Sequence, residues 1–149
     1  MMWSWCHGAP GVGLARLITL QHDATSDLAR ASRTELETAL SSTVSAGFGS
    51  NDSLCHGDLG NLELFLRARE LGTRGPWESR LAFESSRLVE RIARGDWRCG
   101  IPGGVETPGL MMGLAGIGYG LLRIGATQQV PSLLSLEAPR GNPLARIEP

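Results

Sequence analysis

The sequence contains no lysine: all fourteen of its basic residues are arginine, set against fifteen acidic ones for a formal net charge of −1. With that balance there is no strongly basic face, and nucleic acid is not an expected partner. The missing lysine points to genome base composition as readily as to function. Aromatics are scarce at 5%. Cysteine is scarcer still, and the three present cannot all pair. The opening Met1-Met2-Trp3-Ser4-Trp5 has neither the basic nor the apolar region of a secretory signal. A reducing, cytoplasmic setting with free or metal-bound thiols is therefore expected. The longest apolar run, Gly109 to Leu122, is glycine-rich and too short to cross a bilayer, so it reads as a buried core helix.

What is present is a domain-sized chain of 149 residues with 42% hydrophobic content, enough for a core. Twenty glycines are too many for a plain helical bundle, so their placement carries information. Two of the three cysteines and two of the three histidines fall in copies of one motif, Cys-His-Gly-x-x-Gly: Cys6-His7-Gly8-Ala9-Pro10-Gly11 and Cys55-His56-Gly57-Asp58-Leu59-Gly60. Each copy immediately precedes an apolar run.

Periodicity and breakers predict five helices. The first runs from Ala9 or Pro10 to Leu20 and is largely buried. The second runs from about Arg33 to Ala46, capped by Ser32 or Thr34, after a polar break at 23–27. The third covers Asp58 to about Leu71. The fourth, Trp77 to Ala93, is amphipathic, with Leu81, Leu88, Val89 and Ile92 on its apolar side. The fifth, Gly109 to Ile124, is apolar nearly all round. Val130 to Leu136 reads as a short strand or packed tail. A folded unit over 1–136 and a loosely ordered tail over 137–149 follow.

Buried and amphipathic helices alternate, and the buried ones share a register. His7-Gly8-Ala9-Pro10-Gly11 matches His56-Gly57-Asp58-Leu59-Gly60, and Met112-Gly113-Leu114-Ala115-Gly116 matches both. The offset of about fifty residues is one helical hairpin per repeat. This is the pattern of an all-α, partial α/α toroid, with glycine-rich inner helices that pack closely. The third copy carries Met111-Met112 in place of Cys-His, so the repeat itself does not need the metal-ligand types.

Zinc takes thiolate and imidazole ligands in tetrahedral geometry. Cys6 with Cys55 and His56 would supply three ligands and leave a fourth position open, as catalytic zinc requires. Spacing alone does not choose between His7 and His56. Each Cys also precedes a helix N-terminus, whose dipole lowers a thiol pKa. The bland alternative makes both cysteines small buried apolar residues and the histidines partners of loop carbonyls. Cys99 reads as a loop or core thiol and His22 as a solvated residue. Trp3, Trp5, Trp77 and Trp97 read as packing residues, and Arg16 and Arg67 as surface charges.

The Trp5–Gly11, Cys55–Gly60 and Thr107–Gly120 segments resemble the lanthionine synthetase C-like cyclases. The closest likeness is to the C-terminal cyclase domain of class II lanthipeptide synthetases, the LanM type, over about Trp3 to Leu136. The resemblance implies an α/α toroid with a central Zn2+ held by Cys6, Cys55 and His56. It also implies formation of thioether rings: a zinc-activated peptide cysteine adds to a dehydrated residue of a lanthipeptide precursor. His7, following the first ligand, becomes a group that supports that ligand or helps with acid–base chemistry. The family pattern also has earlier inner helices, with a histidine that protonates the enolate, and a dehydratase domain. Nothing here matches those. The chain thus reads as a portion that works with the missing N-terminal part of a synthetase. The alternative is a non-catalytic zinc-binding remnant or partner-binding fragment.

Overall fold

Helix boundaries in this chain follow its glycines more closely than its apolar runs. The computed structural model describes residues 3–139. Among these residues there are five α-helices and two short 3-10 turns, and no strand. Three helices, α1 (Ala9–His22), α3 (Asp58–Glu70) and α5 (Leu114–Gly125), start directly after Gly8, Gly57 and Gly113 and have no side-chain cap. They form the inner row: α3 packs on both α1 and α5. The other two, α2 (Asp27–Ala46) and α4 (Trp77–Ala93), lie outside, packed on α1 and α3 respectively. Residues 133–135 form a 3-10 turn in a packed segment rather than a strand.

Two helix starts differ from the sequence expectation. α2 begins at Asp27, six residues before Arg33. Ser26, not Ser32 or Thr34, is its cap, accepting from the Ala29 N–H at 3.2 Å. Asp23 in turn accepts from the N–H groups of Thr25 and Ser26. The early turns look like a polar break because they face water, with only Ala29 and Ser32 buried. α5 begins at Leu114, not Gly109. Thr107 to Gly113 folds instead into a tight turn, with Gly113 N–H to Gly109 O at 3.0 Å and Leu114 N–H to Thr107 O at 2.8 Å. That correction puts Met111-Met112-Gly113 in structural register with Cys6-His7-Gly8 and Cys55-His56-Gly57.

The repeat is enforced by three glycines. A Cβ on Gly11, Gly60 or Gly116 would lie 2.0, 1.9 and 1.9 Å from the carbonyl oxygen of Trp5, Leu54 and Leu110. Each of those carbonyls belongs to the residue just before Cys6, Cys55 or Met111. The first helical turn is thus pressed against its own incoming loop, which only glycine permits.

The core is aliphatic, built from Leu14, Leu17, Leu36, Leu40, Leu59, Leu62, Leu66 and Ile117, with Phe65 stacked on Trp77 at 5.5 Å. α3 is buried continuously from Asp58 to Ala68. α1 and α5 are not buried all round as their composition suggests. Val12 is 45% exposed, and Leu122 at 59% and Leu114 at 38% line an outward apolar face of α5. Val89 on α4 is also exposed. Trp97 is partly exposed and donates to Glu106 rather than packing in the core.

Charges inside this apolar frame are paired. Arg123 of α5 is fully buried; its guanidinium meets Glu63 at 2.8 Å and Glu70 at 3.1 Å, both from α3. It also donates to the Thr127 carbonyl at 2.9 Å and to that of Val130. Arg67, expected at the surface, is buried and pairs with Glu70 at 2.8 Å and Glu137 at 3.4 Å. Glu137, the first residue of the expected loose tail, also accepts from the Ser132 N–H; residues 140–149 lie outside the described residues. Arg16 pairs with Glu35 across α1 and α2. No helix among the described residues is long and apolar enough to cross a membrane.

Two neighbouring glycines of α5 separate close packing from propensity. Gly118 has nothing within 4 Å of an added Cβ, so Gly118→Ala should stabilise the chain by about 0.5–1 kcal/mol. Gly116→Ala should destabilise it by about 1–3 kcal/mol through the clash with Leu110 O. Urea unfolding of the two variants measures both; equal effects would refute the close approach. In the same assay, Arg123→Leu should cost about 3–5 kcal/mol, because it strands the buried Glu63 and Glu70 carboxylates.

Candidate metal centre

The three glycine turns are joined to one another by backbone hydrogen bonds between equivalent residues. Cys6 N–H donates to Cys55 O at 3.2 Å, and Cys55 N–H donates to Met111 O at 2.9 Å. The turns therefore sit side by side at the N-terminal ends of α1, α3 and α5. This ladder brings residues 49 apart in sequence to adjacent positions. It places the Cys6 and Cys55 thiols and the His56 imidazole so that one donor atom from each lies within 4.8 Å of the others. All three residues are half-buried, and no other group of three or more His, Cys, Asp or Glu is so arranged among the described residues.

The histidines, which spacing left undecided, separate here. His7 is exposed and outside the cluster; its Nδ1 lies 3.0 Å from Cys6 Sγ. His56 belongs to the cluster, and its Nε2 is 2.9 Å from the carbonyl oxygen of Gly100. A carbonyl only accepts, so Nε2 carries the proton and the free lone pair resides on Nδ1. That is the arrangement in which a ligating imidazole donates its second N–H to the protein. Ser4 Oγ, 3.6 Å from Cys6 Sγ, gives that sulfur a hydroxyl neighbour.

The loop around Gly100 is part of the centre, although it carries no donor atom. Gly100 N–H donates to Met112 O at 2.7 Å, which ties the loop to the third turn. A Cβ at Gly100 would lie 2.6 Å from Ser53 Oγ and 3.1 Å from His56 Cε1. The loop is fixed at its other end by Asp52: Asp52 N–H donates to Arg98 O at 2.8 Å, and Arg98 N–H donates to Asp52 Oδ2 at 2.7 Å. Asp52 and Asp58 bracket the Cys55-His56 turn, and both are buried. Arg91 of α4 reaches Asp52, and Arg87 reaches Asp58 Oδ2 at 2.6 Å, while Asp58 Oδ1 accepts from Gly49 N–H at 2.9 Å. Burial raises the Asp52 carboxyl pKa, opposed by the Arg98 N–H and the Arg91 charge. The outer helix thus grips both ends of the cluster's central turn.

Sequence reasoning singled out Cys6 and Cys55 and left His7 and His56 to the family resemblance, and it missed Gly100, Asp52, Arg91 and Arg87. Only the bracketing of the motif by two aspartates could have signalled any of them. Cys99, read as a loop or core thiol, is buried in the core; His22 is exposed at the end of α1.

The thiol chemistry also differs from the expectation of a helix-lowered pKa. Burial, reinforced by the adjacent Cys6, pushes the Cys55 thiol up to about 11. At neutral pH the metal-free Cys55 is therefore a neutral thiol. A soft divalent cation would displace the thiol protons and take both sulfurs as thiolates, with the imidazole as a neutral ligand. With bonds of about 2.0–2.3 Å, tetrahedral donors stand about 3.3–3.8 Å apart, so the cluster closes on zinc with a contraction of at most about 1.5 Å. The donor set fits.

Gly100→Ala should weaken zinc binding by about 10–100-fold, the range for loss of an outer-shell partner of a metal-bound histidine. Chelator competition measures it. Adding Ser53→Gly removes the nearest clash and should restore part of the affinity. An unchanged affinity in Gly100→Ala would show that the carbonyl does not orient His56.

No curated protein and no solved structure matches the chain. A family profile described as "Lanthionine synthetase C-like protein" does match it, over residues 1–135. That span takes in all five helices, the three joined turns and the Cys6–Cys55–His56 cluster. The chain belongs to the lanthionine synthetase C-like family.

Proposed function

We propose that the protein forms lanthionine or methyllanthionine thioether rings in a dehydrated lanthipeptide precursor, with Cys6, Cys55 and His56 holding one zinc ion. The observation that carries this reading is the convergence of two thiols and one imidazole within 4.8 Å, in a chain of this family. Two sulfurs and a nitrogen are a zinc donor set, and three protein ligands leave the fourth position to substrate. Zinc bound in this way supplies the Lewis acidity that keeps an incoming peptide cysteine as its thiolate at neutral pH.

The chain's own residues position these groups. Gly100 O holds the His56 ring through Nε2–H, and the Asp52–Arg91 and Asp58–Arg87 pairs fix the turn that carries Cys55 and His56. His7 is a positioning residue: its Nδ1, 3.0 Å from Cys6 Sγ, holds that ligand in place. The overall addition is balanced. The peptide S–H adds across the Cα=Cβ bond of a dehydroalanine or dehydrobutyrine, sulfur bonds to Cβ, Cα takes a proton, and nothing leaves.

The sequence motifs support a finer placement, as the C-terminal part of a class II synthetase cyclase domain. A second reading, a zinc-holding portion that works only with a partner, is favoured by the outward apolar face of α5 at Leu114 and Leu122.

Purified protein should carry about one equivalent of zinc, and Cys55→Ala should lose it, since removal of one of three ligands opens the site. Incubation with a dehydrated precursor peptide should consume thiols, counted by alkylation and mass spectrometry. Cys55→Ala should consume none. Well-folded wild-type protein that takes up no zinc sinks both readings. Turnover that appears only when the N-terminal part of the cyclase domain is added selects the second.

A further inference from the structure

The row of inner helices has an open side at each end, and the two sides are counterparts. Between α3 and α5, Leu54 and Leu59 pack into the spaces left by two glycines. A Cβ on Gly116 would lie 3.2 Å from Leu54 Cγ, and one on Gly120 would lie 2.8 Å from Leu59 Cδ1. One repeat further on, the equivalents of Leu54, Leu59 and Leu66 are Leu110, Ala115 and Leu122, and no inner helix faces them. Leu54 and Leu66 are buried, whereas Leu110 is 44% and Leu122 59% exposed. At the other end of the row, α3 turns Leu64 toward α1, where its side chain fills the space beside Gly13. The equivalent of Leu64 on α1 is Ala15, which is exposed, and Val12, the equivalent of buried Asn61, is exposed too. Gly118 repeats Gly13, but with nothing within 4 Å of an added Cβ.

The backbone joins stop at the same two places. Cys6 N–H reaches Cys55 O, and Cys55 N–H reaches Met111 O, always from one turn to the next. Two groups would continue that series, Met111 N–H at one end and Cys6 O at the other. Neither has a backbone partner among the described residues. One end of the row thus offers a donor beside an apolar side at Leu110, Ala115 and Leu122. The other end offers an acceptor beside a side of small or uncharged residues at Val12, Ala15 and Thr19.

We propose that a second copy of this chain covers these sides, with α5 of one copy packed on α1 of the other as α3 packs on α5. Met111 N–H of one copy then donates to Cys6 O of the second copy, and Ala115 meets Ala15 of the second copy as Leu59 meets Gly120. A copy of the chain fits because each end supplies what the other lacks: the opposite hydrogen-bonding group and the opposite helix side, with no charge to desolvate. The contact continues one already made twice within the chain, and it withdraws exposed apolar surface from water. A head-to-tail contact closes into a ring or extends as a fibre according to the rotation it imposes. In both, the third turn of one copy borders the Cys6 side of the other copy's metal centre. The association goes beyond the proposed ring-forming activity and does not rest on it.

Sedimentation of the full chain at about 100 μM should give a mass of two or more copies. Ala115→Glu and Ala15→Arg should each weaken association by about 100-fold, because each sets an unpaired charge against an uncharged side. Both positions are exposed, so both variants should keep the helical circular dichroism of the wild type. Mixed in equal amounts, the two variants should associate again. One contact then joins two unmutated sides, and the other sets a carboxylate opposite a guanidinium. Phe83→Glu, at an exposed apolar residue of α4 away from both ends of the row, should associate as the wild type does. A wild-type chain that stays single, association retained by either end variant, or variants that do not recover on mixing would each overturn the proposal. Loss of association in Phe83→Glu would overturn it as well, since it would show contact through apolar surface in general.

Discussion

The structure depends on a pair of backbone hydrogen bonds, Cys6 N–H to Cys55 O and Cys55 N–H to Met111 O. They join equivalent residues of three turns that sequence separates by about fifty positions. Everything at the candidate centre follows from that alignment: which helices are neighbours, which side chains converge, and which loop closes over them. The bonds are possible because Gly11, Gly60 and Gly116 let each inner helix start against its own incoming loop. The rungs are backbone, so they are indifferent to the side chain. Cysteine occupies two of them and methionine the third without change in the local path. Architecture and chemistry are thereby separable in this chain, and the donors sit on a frame that does not need them.

A second layer converts that frame into a specific site. The central turn is gripped from outside by Arg87 and Arg91 of α4 through Asp58 and Asp52. From above, Gly100 O engages His56. These contacts decide between the two histidines, which differ little in local sequence. His56 is turned by a carbonyl so that one nitrogen remains available, while His7 stands beside a ligand sulfur. A neighbouring pair of half-buried thiols with an imidazole beside them is a soft donor set, and that convergence is the chain's strongest physical argument for a cation.

Much of this could be read from the sequence, and the exceptions share a cause. The third and fourth helices were legible because Gly57 and Gly72-Thr73-Arg74-Gly75-Pro76 punctuate them and their apolar positions recur at helical spacing. Cys6 and Cys55 were legible because a rare residue pair is duplicated in register, but that duplication did not choose between His7 and His56. The start of α2 was not legible, because its first turns are solvated and show no apolar period. The start of α5 was not, because Leu110, Met111 and Met112 extend its apolar run backwards into a turn. Least legible were the polar residues of α3. Asp58, Asn61, Glu63 and Arg67 look like a wet face, yet all are buried and meet partners contributed by α4, α5, the segment at Trp3 and the segment at Glu137. Partnerships of that range leave no local signature.

Arg123 carries a consequence for how the molecule comes apart. Its guanidinium holds Glu63 and Glu70 of α3 together with the carbonyls of Thr127 and Val130. The segment after α5 is therefore not a strap laid over a finished core. Peeling it away would expose two carboxylates' shared counter-ion and release the helix carrying the third turn. Amide hydrogens in residues 126–137 and in α3 are thus expected to exchange with solvent as one cooperative unit, and a protease should find no early foothold between them.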